Sequence, residues 1–192
     1  MTRKIVLFGL MIESLALSSA FASSKECQLD QKSLKVKWTA FKTARRIGVS
    51  GIFPNVSFSG GKGKTIHDAL KDVSFVINTQ HIETGDKIRD GKIATIFFGS
   101  MENGKKILGK IDRVGRSYAQ VSLKMNDVQR TIPLRLALQG KKLTGSGFVD
   151  IFDFVAEESL KKINQACYAL HEGKTWNTVE VQMEVACEPE KK

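Results

Sequence analysis

The 192-residue chain lacks the residue patterns through which most catalytic centres declare themselves. Its three histidines, His67, His81 and His171, are far apart, and none belongs to an H-E-x-x-H or similar ligand spacing. His81 and Glu83 share one side of a strand, which is too little for a metal site to be expected. There is no G-x-S-x-G turn to raise a nucleophilic serine, and no C-x-x-C-H run to attach haem. The glycine-rich stretch Gly60-Gly61-Lys62-Gly63-Lys64-Thr65 superficially suggests a phosphate loop, but Phe58 stands where that motif needs its first glycine, so a solvated hairpin turn is expected. These absences leave an enzyme without positive support, and no cofactor is expected.

Acidic residues are also outnumbered. Twenty Asp and Glu against thirty Lys and Arg give a formal charge of +10. Such a balance favours anionic lipid headgroups or envelope polymers as partners. Nucleic acid is not expected, because the basic residues are scattered along alternating segments and no cluster of aromatic and basic residues resembles a stacking platform.

Residues 1–22 read as a secretory signal: a basic start at Arg3 and Lys4, an apolar run from Ile5 to Leu17 broken by Glu13 and Ser14, and Ala20-Phe21-Ala22 as a cleavage site. Cleavage near Ala22 leaves residues 23–192 as one domain of 170 residues and a formal charge of +9. No later apolar run is long enough to cross a bilayer as a helix, so the expected destination is periplasmic or secreted.

Alternation of apolar and polar residues recurs through that domain, the mark of strands with one buried face. It is visible at Leu34–Ala40, Val73–Ile77, Ile107–Val114, Tyr118–Met125, Thr131–Gln139, Leu143–Ile151 and Val179–Val185. One further strand contains Pro54, which predicts a kink or an edge before Val56 and Phe58. About eight strands joined mostly by short turns predict an antiparallel, lipocalin-like closed barrel. Two helices interrupt it: a turn over Thr65–Leu70, and Ala156–Leu170, where Leu160, Ile163, Ala166, Cys167 and Leu170 follow helical spacing up to a stop at Gly173.

Cys27, Cys167 and Cys187 allow one disulfide and one leftover thiol. In an antiparallel barrel the first and last strands are neighbours, which favours Cys27 with Cys187 and leaves Cys167 as a buried helical thiol. Cys167 with Cys187 is the competing pair.

The inward set comprises Val36, Trp38, Phe75, Ile77, Leu123, Leu134, Leu136, Val149, Val181 and Met183, an apolar lining suited to an extended hydrocarbon. Glycines at 145 and 147 on the same face leave room. After the turn at Thr84-Gly85-Asp86, a charged stretch carrying Lys87, Arg89, Asp90 and Lys92 leads to Phe97-Phe98, which are placed to line or seal the cavity. Lys87, Arg89 and Lys92 are candidate headgroup contacts; alternatively Arg89 and Asp90 form an ion pair that fixes the loop.

Three groups of residues carry a family resemblance. They are Ile82, Thr84-Gly85, Arg89-Asp90 and Phe97-Phe98; Trp38-Thr39-Ala40-Phe41 with Val49-Ser50-Gly51-Ile52-Phe53; and Val121-Ser122-Leu123 through Asn126-Asp127 to Ile132-Pro133-Leu134. Together they resemble the YceI-like family of exported polyisoprenoid-binding proteins over roughly Leu29 to Val185. The family's early His-Ser, its Tyr-Pro after the paired phenylalanines and its His-Gly at the central turn are here Lys32-Ser33, Gly104-Lys105 and Asn126-Asp127. The resemblance implies a barrel enclosing a long-chain isoprenoid or lipid, held as carrier or reservoir. The contrasting expectation is an envelope interaction protein with a packed, ligand-free core and a basic docking surface.

Overall fold

The computed structural model describes residues 26–188; the expected signal sequence, 1–22, lies outside the described residues. Among the described residues eleven strands are formed: β1 (Cys27–Gln28), β2 (Lys35–Lys42), β3 (Ile47–Phe53), β4 (Val56–Ser59), β5 (Lys62–Gly63), β6 (Ser74–Asn78), β7 (Lys106–Val114), β8 (Tyr118–Met125), β9 (Val128–Gln139), β10 (Lys142–Asp150) and β11 (Thr178–Ala186). Nine of them make one antiparallel sheet in the order β3-β2-β11-β10-β9-β8-β7-β6-β4. Its curl wraps the apolar faces inward, as the alternation predicted.

The count of eight strands in a closed barrel is corrected by Pro54. Pro54, with no N–H to donate, lies where the chain leaves the pairing with β2, so what reads as one kinked strand becomes two. β3 pairs with β2, and β4 pairs with β6. The two edges of the curled sheet are therefore consecutive in the chain and are bridged by Pro54-Asn55 rather than joined by a ladder. Ile52 and Glu83 exchange two backbone hydrogen bonds of 2.9 and 3.1 Å beside the break.

Two cross-strand pairs explain glycines that the periodic pattern does not. Trp38 faces Gly51, where an added Cβ would lie 2.5 Å from the indole, and Phe75 faces Gly109, where it would lie 2.0 Å from the ring. Each aromatic ring thus occupies the space a side chain on the facing strand would take, which only glycine leaves free. Of the glycines at 145 and 147, the first borders the cavity as expected and the second does not open space. Leu134 occupies the place beside Gly147, and Met183 and Leu136 crowd Gly145.

One end of the sheet is closed by β1 paired with β5 and by the short helix α1 (Ile66–Ala69), capped by Thr65. There Cys27 and Cys187 are bonded, with Cα atoms 5.3 Å apart. The adjacency of chain ends that the antiparallel pattern predicted is real: Leu29 bridges to Cys187, and the N–H of Glu188 donates to the carbonyl of Gln28 at 2.7 Å. Leu29, Leu70, Leu143 and Val185 pack behind the disulfide.

The other end carries the helices. α2 (Lys87–Lys92) runs into a π turn at Ile93–Phe97 and a 3-10 turn at Phe98–Ser100; α3 (Glu157–Ala166) is followed by α4 (Tyr168–His171). The segment after Asp86, read as a charged loop before an aromatic pair, is thus helical. The single amphipathic helix expected over Ala156–Leu170 breaks at Cys167, whose thiol is half-buried rather than buried. The chain leaves α4 through Glu172 and Gly173, both in the left-handed region, close to the stop predicted at Gly173. Ser100 Oγ donates to Ser159 Oγ at 2.9 Å, and Lys92 Nζ donates to the carbonyl of Ala166 at 2.9 Å, so the two helical segments are tied across this end.

Candidate functional site

The sheet and the helical end enclose a cavity of 340 Å³ with an almost wholly apolar lining. That size lies within the ~300–1,000 Å³ of ordinary ligand pockets. At the end tied by the disulfide, the walls are Leu29, Leu70, Val73, Ile111 and Val185. Their packing against α1 and the disulfide shuts that end. In the middle, Val36, Trp38, Phe75, Ile77, Leu123, Leu134, Val149, Val181 and Met183 all face inward, as read from the alternation. Leu136 faces inward as well but does not line the cavity; it is buried at the disulfide end, in the core with Leu143 and Val185.

Phe97 and Phe98 both reach the cavity, but they differ in setting. Phe98 is 6% exposed and belongs to the core with Trp38, Ile77 and Phe154. Phe97 is half-buried and packs against that core from the cavity side. Their rings meet edge to face at 5.0 Å, and Phe53, which the sequence reading did not select, bridges Phe98 at 6.2 Å and Trp38 at 6.4 Å.

Polar side chains reach the cavity near the helical end. Lys42, Asp86, Arg89, Lys92 and His171 line it there, together with Ile88, Leu170, Thr175 and Trp176. Asp86 is committed to structure: Oδ1 accepts from the N–H groups of Ile88 and Arg89 at 2.9 and 3.1 Å. These bonds, that from Arg89 first, hold its carboxyl below the usual carboxylate range.

Of the four charged residues singled out from the sequence, Arg89 and Lys92 line the cavity. Lys87 projects into solvent, 92% exposed. Asp90 is buried, with Lys87 Nζ 3.9 Å from its Oδ2. The direct Arg89–Asp90 pair is not formed; the two meet on Thr84 instead. Arg89 Nε donates to Thr84 Oγ1 at 2.8 Å and its terminal nitrogen to the Thr84 carbonyl at 2.9 Å, while Asp90 Oδ1 accepts from Thr84 N at 2.9 Å and from its hydroxyl. Thr84 is therefore the hub that sets α2 against the sheet edge.

His171 was notable in the sequence only for lacking metal partners. Its Nδ1 lies 2.7 Å from Thr175 Oγ1, whose hydroxyl donates to Asn164 Oδ1 at 2.8 Å. The Asn164 amide is oriented by its own donation to the carbonyl of Gly173. Thr175 must then accept from His171, which puts the proton on Nδ1 and leaves Nε2 as the titrating nitrogen. Burial first, and then the neighbouring Lys42 and Lys92 ammonium groups, lower the pKa of this histidine from 6.5. No sequence signal points to Lys42 or His171, because their role depends on segments far apart in the chain. Among the described residues no cluster of potential ligands is arranged for a metal ion.

Solved structures share the architecture. A polyisoprenoid binding domain from Saccharophagus degradans, implicated in plant cell wall breakdown, matches with a TM-score of 0.60 at 14% identity, over 85% of this chain and 98% of that one. Burkholderia cenocepacia BcnA matches with a TM-score of 0.56 at 14% identity, over 84% and 100%. A Campylobacter jejuni YCEI protein gives 0.51 at 14% identity, over 74% and 86%. At that identity the likeness shows a shared fold: a curled antiparallel sheet around an interior. No curated protein sequence matches the chain. The profile of the YceI-like domain matches residues 27–187, from one disulfide cysteine to the other, and the chain belongs to the YceI-like family.

Proposed function

We propose that the protein is an exported binding protein that holds an isoprenoid or another long-chain amphiphile in its cavity, as carrier or reservoir in the cell envelope. The observation that carries this reading is the cavity itself, predominantly apolar from the disulfide end through the middle, with its charged side chains beside the helices. A hydrocarbon tail gains ~0.8 kcal/mol for each methylene removed from water. About ten buried methylenes therefore supply roughly 8 kcal/mol before ordering costs. The headgroup needs only to be oriented, and Arg89, Lys92 and Lys42 are the charges available to do it. A polyisoprenoid ligand is named for a structural neighbour, and family membership supports the same ligand class here. The Cys27–Cys187 disulfide suits an oxidising compartment.

Native mass spectrometry and lipid extraction of the purified protein test the reading. The expected result is a long-chain adduct that survives high salt. Repeated recovery of protein without any adduct, together with salt-sensitive binding to an envelope polymer, would favour the interaction protein with a docking surface instead.

A further inference from the structure

The three most exposed large apolar side chains among the described residues are Ile88, at 75%, and Tyr168 and Leu170, at 66% each. All three sit on the short helices beside the cavity, Ile88 on α2 and the other two on α4. Ile88 and Leu170 line the cavity as well as facing solvent, so they mark its rim. The same rim is cationic. Lys42, Arg89 and Lys92 line the cavity; Lys87 is 92% exposed beside Ile88; and the turn after β2 brings Arg45 and Arg46 against the segment after α4. Arg46 lies over the Trp176 ring at 4.6 Å, and Lys174 over the same ring at 4.8 Å. Against these cations stand Asp86, occupied as a helix cap, Asp90, buried 3.9 Å from Lys87 and held by Thr84, and Glu172, 3.8 Å from Arg45.

We propose that this rim docks on a bilayer containing anionic phospholipid, with Ile88, Tyr168 and Leu170 entering the interface and the surrounding Lys and Arg meeting headgroups. An amphipathic surface with basic residues around apolar ones has the composition of an interfacial anchor. Charge selects this occupant over a second copy of the chain, since joining two rims would set cations against cations. The surface goes beyond the ligand reading: it supplies the route by which a lipid passes between membrane and cavity without crossing water. It can also fail independently, because vesicle binding and ligand retention are separate measurements.

Sedimentation of the purified chain with vesicles tests it, comparing phosphatidylcholine alone with phosphatidylcholine plus phosphatidylglycerol. Binding is expected only to the anionic vesicles, and weaker as salt rises. Ile88→Ser and Leu170→Ser should each lower the partition by about tenfold, and Lys87→Gln by about fivefold. All three positions are exposed, so the unfolding midpoint should hold. Phe148→Ser removes a side chain that is 60% exposed on β10, and it should leave binding unchanged. Absence of binding to anionic vesicles, equal binding to neutral ones, or an equal loss in Phe148→Ser would overturn the proposal. So would a solution dimer that Ile88→Ser dissolves.

Discussion

Phe97 and Phe98 are adjacent, in ring contact and both on the cavity, yet the structure assigns them different work. Phe98 is 6% exposed and packs edge to face with both Phe97 and Phe53. Truncating such a core phenylalanine typically costs ~3–5 kcal/mol, through lost transfer energy and the void left behind. Phe97 is half-buried, packing against that core with part of its surface and bordering the cavity with another part. Its loss should cost only ~1–2 kcal/mol of stability, while removing a wall that a bound tail would touch. With a urea slope of about 2 kcal/mol/M, Phe98→Ala should lower the unfolding midpoint by about 2 M, and Phe97→Ala by less than about 1 M. Urea titration followed by tryptophan fluorescence reads the midpoints, and native mass spectrometry of the same preparations reads lipid retention. Phe97→Ala should lose more retention than stability relative to Phe98→Ala. If Phe97→Ala destabilises as much as Phe98→Ala and its retention is unchanged, Phe97 is a packing residue and the cavity reading of this segment fails.

Cys187→Ser opens a covalent loop between residues 160 apart in sequence, and thermal or urea unfolding should register a loss of about 2–5 kcal/mol. Asp90→Ala strips the acceptor from Thr84 N and its hydroxyl; a loss of ~2–3 kcal/mol is expected, with hydrogen exchange accelerating first across α2, and protection there equal to wild type would contradict the hub. The pKa of His171 is lowered in the folded protein, so the native state disfavours its charged form. Its contribution is therefore complete above the unfolded value of 6.5 and is lost as pH falls through 6.5 toward the folded value. Between pH 7 and pH 5 the wild type should lose more stability than His171→Gln, and parallel pH profiles would show that the histidine does not titrate in this way.

The strands were legible because alternation with period 2 is written into each segment separately. Trp38, Phe75, Leu134, Val181 and their inward neighbours could be placed on the cavity face without knowing how the strands pair. Leu136 faces inward as the alternation says but does not reach the cavity, because an inward direction does not say how tightly neighbouring side chains pack around a residue; Leu136 is buried with Leu143 and Val185. α2 was not legible. Lys87-Ile88-Arg89-Asp90-Gly91-Lys92 has one apolar residue and a glycine, a poor helix by propensity. It forms because Asp86 caps it, Thr84 pins it, and the following Ile93, Ala94, Phe97 and Phe98 are drawn into the core.

By itself, then, the sequence determined the alternating strand segments, the apolar inner face, a kink or edge at Pro54 and the pairing preference of the terminal cysteines. These follow from local periodicity, from proline's missing N–H and from antiparallel neighbours. Only the tertiary structure decided that the edges remain unladdered, that helices frame the cavity, and that Lys42, Arg89, Lys92 and His171 converge there. The convergence depends on how far the sheet curls and where the helices dock on it. Both are set by packing between segments distant in the chain, which no local pattern records.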